Sequence, residues 1–410
     1  MHLSADNPSG GRTCNLVDVV AGVARLAGHG VYAADSIASY QLYGGVMLRS
    51  PDRSHFEKAT AMPANLMKRL RQILVLSCPV IPAIYLHAAS CTTQAQMTAA
   101  QRDTLAGSAR TIVAQLKSGD IQALRANTIP AVAADFGGIA GSVQNLKPAI
   151  QAATITVNEL YLLDASSNPP APSRTDFYCG SPVVAVNFNS LPPGTYALAI
   201  LHATGVPQPQ QISIIMSRTP DNRWMLAGFF TRPMIAAGHD GLWYWTSARK
   251  YVQTKMNWDA WFYYRMASNL LDPLNFLSSP NLEKLRHESD QVHPDNLPGS
   301  KPLMLSANGA SYTLTAIDTT TTFGGLDLDV QYSADPTQST QLRDPLSARK
   351  QVTEVMSALI ELHPELQQAF HGMWVHANQG TASLFALELP MDQIAAAPRP
   401  PNVSSSLASH

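Results

Sequence analysis

The feature that most constrains this chain is the segment 67–91. It opens with the cations Lys68, Arg69 and Arg71, continues through an apolar stretch from Ile73 to Leu86, and closes on Ala88, Ala89, Ser90 and Cys91. A basic start, a short apolar run and small terminal residues form the pattern of a secretory signal: the cations stay cytoplasmic, the apolar run enters the translocon, and small side chains fit the peptidase. Pro79 and Pro82 break any helix there, and the run falls short of the ~20 residues that span a bilayer comfortably. Residues 67–91 are therefore expected to be a processed signal, and only the chain after the cleavage point to fold outside the cytosol. Upstream, residues 1–66 show no sustained apolar period, with Gly, Ser, Asp and Pro scattered through them. They read as a disordered extension or as a start assigned too far upstream of Met67.

The small residues ending in Cys91 resemble the lipobox of bacterial lipoproteins. That resemblance implies lipidation of Cys91, a membrane partner through the resulting anchor, and residence in the periplasm or at the outer membrane. Ala88 stands where that family has leucine, so ordinary signal-peptidase cleavage near Ala88-Ala89-Ser90 is the alternative. The chain has four cysteines, Cys14, Cys78, Cys91 and Cys179. Processing would remove the first two and lipidate or remove the third. Cys179 is then expected alone, a packed thiol with no intrachain disulfide.

More than three hundred residues lie beyond Cys91, enough for two domains with buried cores. The net charge of −1 provides no basic field for nucleic acid. Charged residues are 14% of the chain, below the usual quarter, so the surface is polar without being highly charged.

Periodicity places helices over 101–117, 121–127, 130–136 and 142–152, with Gly137-Gly138 as an interruption. Alternation then gives strands over 153–164, 176–188, 195–203, 211–217 and 223–231, the last after the turn Thr219-Pro220-Asp221-Asn222. The expected fold class is α+β, with helices packed on a curved antiparallel sheet. In its order of elements, region 98–235 resembles the nuclear-transport-factor-2-like (cystatin-like) cone, which implies a strongly bent sheet around a central pocket.

Residues 238–300 read as a helical hairpin and connector. Two amphipathic helices meet near Met256-Asn257 and carry a dense set of aromatics, Trp258 and Trp261 among them. The hairpin is similar to a single tetratricopeptide repeat: Tyr244, Ala248 and Tyr251 match the first helix, Ala260, Tyr264 and Ala267 the second, and Leu271-Asp272-Pro273 the ending, displaced by one residue. No second copy is present, so packing on the cone domain is expected; the alternative is a protein partner docking on exposed Trp258 and Trp261. A second, smaller ββαββ domain is expected over 301–394. Its clearest strand alternates Leu326, Leu328, Val330 and Tyr332 with Asp327, Asp329 and Gln331, and Asp344-Pro345 opens its helix. The tail 395–410 is rich in Pro, Ser and Ala and reads as disordered.

Motifs of chemistry are sparse. The chain has no Gly-rich phosphate loop, no helical His-Glu-x-x-His and no nucleophile elbow, and no cofactor or metal is expected. His239-Asp240 reads as a helix cap. The group His287, Glu288, Asp290 and His293 reads as solvated surface. Asp327 and Asp329 could do acid–base work, yet at alternating strand positions they read as a wet face. Some relatives of the cone fold are dehydratases or isomerases, which implies Tyr161, Asp176 and His202 as inward-facing acid–base candidates acting on a small apolar substrate. Against that stands the reading as an exported, ligand- or protein-binding cell-envelope protein.

Overall fold

The computed structural model describes residues 89–170, 173–397 and 403–407. The expected signal lies outside them except for Ala89, Ser90 and Cys91, as do residues 1–66 entirely. The described residues fold as α+β, with eleven helices and several sheets. No described helix is long and apolar enough to cross a membrane.

The first strand, β1 (Ser90–Thr93), takes up the last two residues of the expected signal and the two that follow. Four helices come next: α1 (Ala99–Ser118), α2 (Ile121–Ala126), α3 (Pro130–Ala133) and α4 (Gly137–Ile150). A capping box between Thr98 and Gln101 starts α1, and Gly119 at φ 72° stops it, satisfying orphan groups at both ends. Gly137 and Gly138 do not interrupt; they form the first turn of α4. Then come β2 (Thr154–Asp164), β3 (Thr175–Cys179), β4 (Val184–Phe188), β5 (Thr195–Thr204), β6 (Gln210–Arg218) and β7 (Trp224–Pro233). The single strand expected over 176–188 is two, turned back at Gly180 with φ 67°.

Strands β1, β2, β5, β6 and β7 form a five-stranded antiparallel sheet in the order β1-β2-β5-β6-β7. Both of its faces are covered. Leu105, Ile112 and Leu116 of α1 and Val143 of α4 pack with Ala199, Leu201 and Ile214 on one side. On the other, Leu198, Ile200 and Ile215 meet Phe177 and Val186 of the small β3–β4 sheet. Fully burying each such side chain is worth about 1.5–3 kcal/mol.

Cys91 and Cys179 form a disulfide across 88 residues, with Cα atoms 5.1 Å apart. This corrects the expectation of a lone Cys179. Pairing of β1 with β2 sets Cys91 opposite Leu163 and beside β3, which delivers Cys179. In this bond the Cys91 sulfur is not free to carry a thioether-linked lipid.

A short ribbon, β8 (Ile235–Ala236) with β9 (His239–Asp240), leads into the hairpin α5 (Gly241–Gln253) and α6 (Asn257–Leu271). Ala248, Ala260 and Ala267 are fully buried, and a Cβ at Gly241 would lie 2.5 Å from the Leu271 side chain. Small residues at these positions let the helices approach closely. A connector carries β10 (Leu277–Ser278) and α7 (Pro280–Asp290).

The C-terminal part contains β11 (Leu303–Ala307), β12 (Ala310–Thr320), β13 (Asp327–Ser333), α8 (Pro336–Gln341), α9 (Pro345–Leu362), α10 (Leu366–Ala369), β14 (Gly372–Gln379), β15 (Ala382–Pro390), α11 (Met391–Ala396) and β16 (Ser404–Leu407). Its sheet has six strands in the order β15-β14-β13-β12-β11-β16, with β13 and β14 parallel. The ββαββ expectation held its central elements but missed β11 and β16, and the tail expected to be disordered supplies β16. One face packs on α9, where Val352, Val355 and Met356 meet Leu328, Val330 and Val375. The aromatic hairpin joins this same core rather than packing mainly on the five-stranded sheet: Tyr263 donates its hydroxyl to the Ala369 carbonyl at 2.7 Å.

Candidate functional site

Residues singled out from the cone resemblance do not converge. Tyr161 of β2 donates to Glu159 and lines an open groove of about 540 Å³ with Arg102 and Ser181. Burial, reinforced by Glu159, pushes its phenol well above the ordinary range, so it stays protonated. His202 of β5 lies between Thr156 and Gln211 in the register, its Nε2 3.3 Å from Gln211 Oε1. Four positions of β5 separate it from the partner of Tyr161, about 13 Å at strand rise. Asp176, on the separate β3–β4 sheet, pairs with Arg174 at 2.6 Å. Apolar side chains fill both faces of the sheet around them, Leu198, Ile200 and Phe177 on one side and Ala199, Leu201 and Ile214 on the other.

Trp258 and Trp261 do not present an exposed face for docking. They are only 5% and 7% exposed. Trp258 lies against His363 with ring centroids 4.0 Å apart and planes inclined by 31°, and Trp261 meets His293 at near right angles beneath the Arg265 guanidinium. Both side chains are buried because α6 is sandwiched between α5 and the C-terminal core, so the alternative of a partner docking on exposed Trp258 and Trp261 loses its surface, while Trp243 of α5 stays 40% exposed. The polar group on α7 is also occupied: Glu288 accepts from Trp245 Nε1 and Arg249. Asp240 caps α5 through the Trp243 N–H at 2.8 Å, as its position suggested.

The chemistry gathers instead on the open face of the six-stranded sheet. Register sets Asp318, Asp329, Trp374 and Glu388 side by side across β12, β13, β14 and β15. One step along, Thr320, Asp327, Gly372 and Pro390 form the next row. Asp327 is fully buried, which corrects its reading as a wet-face residue. Nδ1 of His371 lies 2.9 Å from Asp327 Oδ1, while Asp327 Oδ2 has no hydrogen-bond partner. A buried, unsatisfied carboxylate oxygen costs several kcal/mol.

Backbone bonds hold His371 in place: its N–H donates to the Leu326 carbonyl at 2.8 Å and its carbonyl accepts from Met391 at 2.9 Å. Gly325 permits this approach, since a Cβ there would lie 2.3 Å from the His371 Cβ. Gly372 keeps the neighbouring space clear. A Cβ on it would stand 2.9 Å from both Asp327 Oδ1 and Glu388 Oε1.

Next to this group, Asp329 Oδ1 and His376 Nε2 are 3.4 Å apart, and neither atom makes a hydrogen bond. Burial, with the Asp318 charge adding to it, pushes Asp329 up to about 6. Burial also lowers His376. Glu388 is raised by burial and by Asp327. Perturbed acids and an imidazole clustered on one open face make this the candidate functional surface. Trp374 lies against His376 with ring centroids 4.1 Å apart and planes inclined by 54°, and meets Phe323 at near right angles, and Arg265 of α6 ties down Asp318 at 3.0 Å. Among the described residues, Asp327, His371 and Glu388 are the group whose donor atoms, all within 4.8 Å of one another, could hold a metal ion.

Sequence reasoning noticed Asp327 and Asp329 but not their partners. His371 is 44 residues further along, and no local spacing signals a pairing made by a parallel crossover. No protein-family model, curated protein or solved structure matches the chain.

Proposed function

We propose that the chain is an exported binding protein of the bacterial cell envelope, processed near Ala88-Ala89-Ser90 and retained in its fold by the Cys91–Cys179 disulfide rather than by a lipid. The observation that carries this reading is that disulfide. Disulfides persist in oxidising compartments and are rare in the cytosol, and the basic, apolar and small residues of 67–91 provide the route there. A sulfur bonded to Cys179 cannot also carry a thioether-linked diacylglyceryl group, so in this reading the lipobox resemblance gives way to ordinary cleavage. The binding surface in this reading is the open face of the six-stranded sheet, with its Asp, His and Trp residues. The cone-enzyme alternative loses support because Tyr161, Asp176 and His202 point to three separate surroundings.

Mass spectrometry of the protein extracted from its own envelope fraction, with and without reductant before maleimide labelling, tests this. The expected product starts after the apolar run, carries no diacylglyceryl group, and takes up maleimide at Cys91 and Cys179 only after reduction. A cytosolic product that retains Met1, or an acylated Cys91, overturns it.

A further inference from the structure

We infer that Asp327, His371 and Glu388 form a binding site for a first-row transition-metal dication, Zn²⁺ above all. The inference rests on the sheet face being the binding surface; it does not depend on export.

Three independent observations converge. Asp327 is fully buried, with Oδ2 lacking any hydrogen-bond partner, although native folds seldom leave such an atom uncompensated. Its donors and those of His371 and Glu388 lie within 4.8 Å of one another, so side-chain shifts of about 1 Å bring them to the 2.0–2.2 Å of Zn–N and Zn–O bonds. Gly372 leaves the space between the two carboxylates open, because any Cβ would lie 2.9 Å from each.

Chemistry selects the ion. Two carboxylates balance a dication, and a neutral imidazole completes the set without added charge. His371 would bind through Nδ1, its proton passing to Nε2 on the half-exposed side of the ring. The Asp327–His371 hydrogen bond is then exchanged for two metal bonds. One nitrogen and two carboxylate donors without thiolate suit Zn²⁺, Mn²⁺ or Fe²⁺ and not Cu(I). Calcium wants six to eight oxygens and magnesium prefers near-octahedral oxygen ligation, which this trio does not supply. Three protein ligands leave a coordination position for water or a ligand atom, beside Trp374 on the same face.

The test is calorimetric titration of chelator-treated full-length protein with ZnCl₂ alone, and separately with MgCl₂. Glu388→Gln and His371→Ala alter half-exposed side chains, and circular dichroism checks that both variants are folded; Asp327→Asn is a third arm, and Asp176→Asn, remote on β3, serves as control. The expected result is a Zn²⁺ equivalent that each site variant weakens by more than the about 10–100-fold typical of losing an outer-shell partner, that the control leaves unchanged, and that Mg²⁺ does not reproduce. Folded Glu388→Gln and His371→Ala proteins that bind Zn²⁺ as tightly as the native chain overturn the inference, as does a native chain that binds none. Either failure leaves the export reading standing, because that reading is measured at the N-terminus and the thiols.

Discussion

The two large sheets of this protein meet their surroundings differently. The five-stranded sheet is covered on both faces, by α1 and α4 on one side and the β3–β4 sheet on the other. The six-stranded sheet is covered by α9 on one face only, and its other face keeps carboxylates, imidazoles and Trp374 in a half-buried layer. Covering both faces leaves room for packing and little else, which is why His202 and Tyr161 end beside Gln211 and Glu159 rather than beside each other. Covering one face leaves a surface on which polar groups can be positioned without being sealed. The proposed binding surface is the uncovered face.

The largest effect expected from breaking this contrast is on the disulfide. Closing a loop of 88 residues stabilises by about 4–5 kcal/mol in the chain-entropy account. Cys179→Ser should lower the unfolding free energy by about that much in denaturant titration and leave Zn²⁺ binding unaltered. A parallel loss of Zn²⁺ binding would show that the two sheets are not separable in function.

Asp259 comes next. It is fully buried on α6 with neither carboxylate oxygen hydrogen-bonded, and burial, with the charge of Glu365, pushes it up to about 7. Glu365 itself is held low by its bond to His363. The folded protein thus keeps the Asp259 proton while the unfolded chain releases it from pH 4 upward. This contribution is fully present below pH 4, falls as pH rises to about 7 and is flat above that, by about 4 kcal/mol in all at 1.36 kcal/mol per unit. Asp259→Asn should remove that slope from the stability curve between pH 4 and 7. A variant whose slope matches the native protein's would place the charge elsewhere.

The contrast itself is probed by a pair of truncations. Leu198→Ala, inside the doubly covered sheet, should cost about 3 kcal/mol. Gln331→Ala, on the open face and held only by a 3.4 Å bond from Asn378, should cost about 1 kcal/mol or less. Equal losses in the denaturant midpoints would mean that the second face is sealed after all.

Much of this architecture could be read from sequence where periodicity is strong. The apolar stripes of α1 and α9, the alternation of β13 and the small and aromatic spacing of the α5–α6 hairpin all signal their elements directly. Strands β1 and β16 could not be read, because Ser90–Thr93 and Ser404–Leu407 are short and polar and become strands only by pairing with β2 and β11. The site was half legible. Asp327 and Asp329 stood out by spacing, but their burial depends on segments far away in sequence, among them His371 and the Arg265 side chain that fixes Asp318. Cys91 was misread for a related reason: its neighbours matched a processing motif, while the partner that decides its chemistry stands 88 residues on.

The most direct measurement is X-ray diffraction from crystals of the zinc-loaded full-length protein, recorded on both sides of the zinc absorption edge. An anomalous peak bonded to Asp327, His371 and Glu388 is the predicted result. Peaks confined to other histidines, with Asp327 and His371 still hydrogen-bonded to each other and no peak between the carboxylates, would contradict the claim that the uncovered sheet face is where this protein binds.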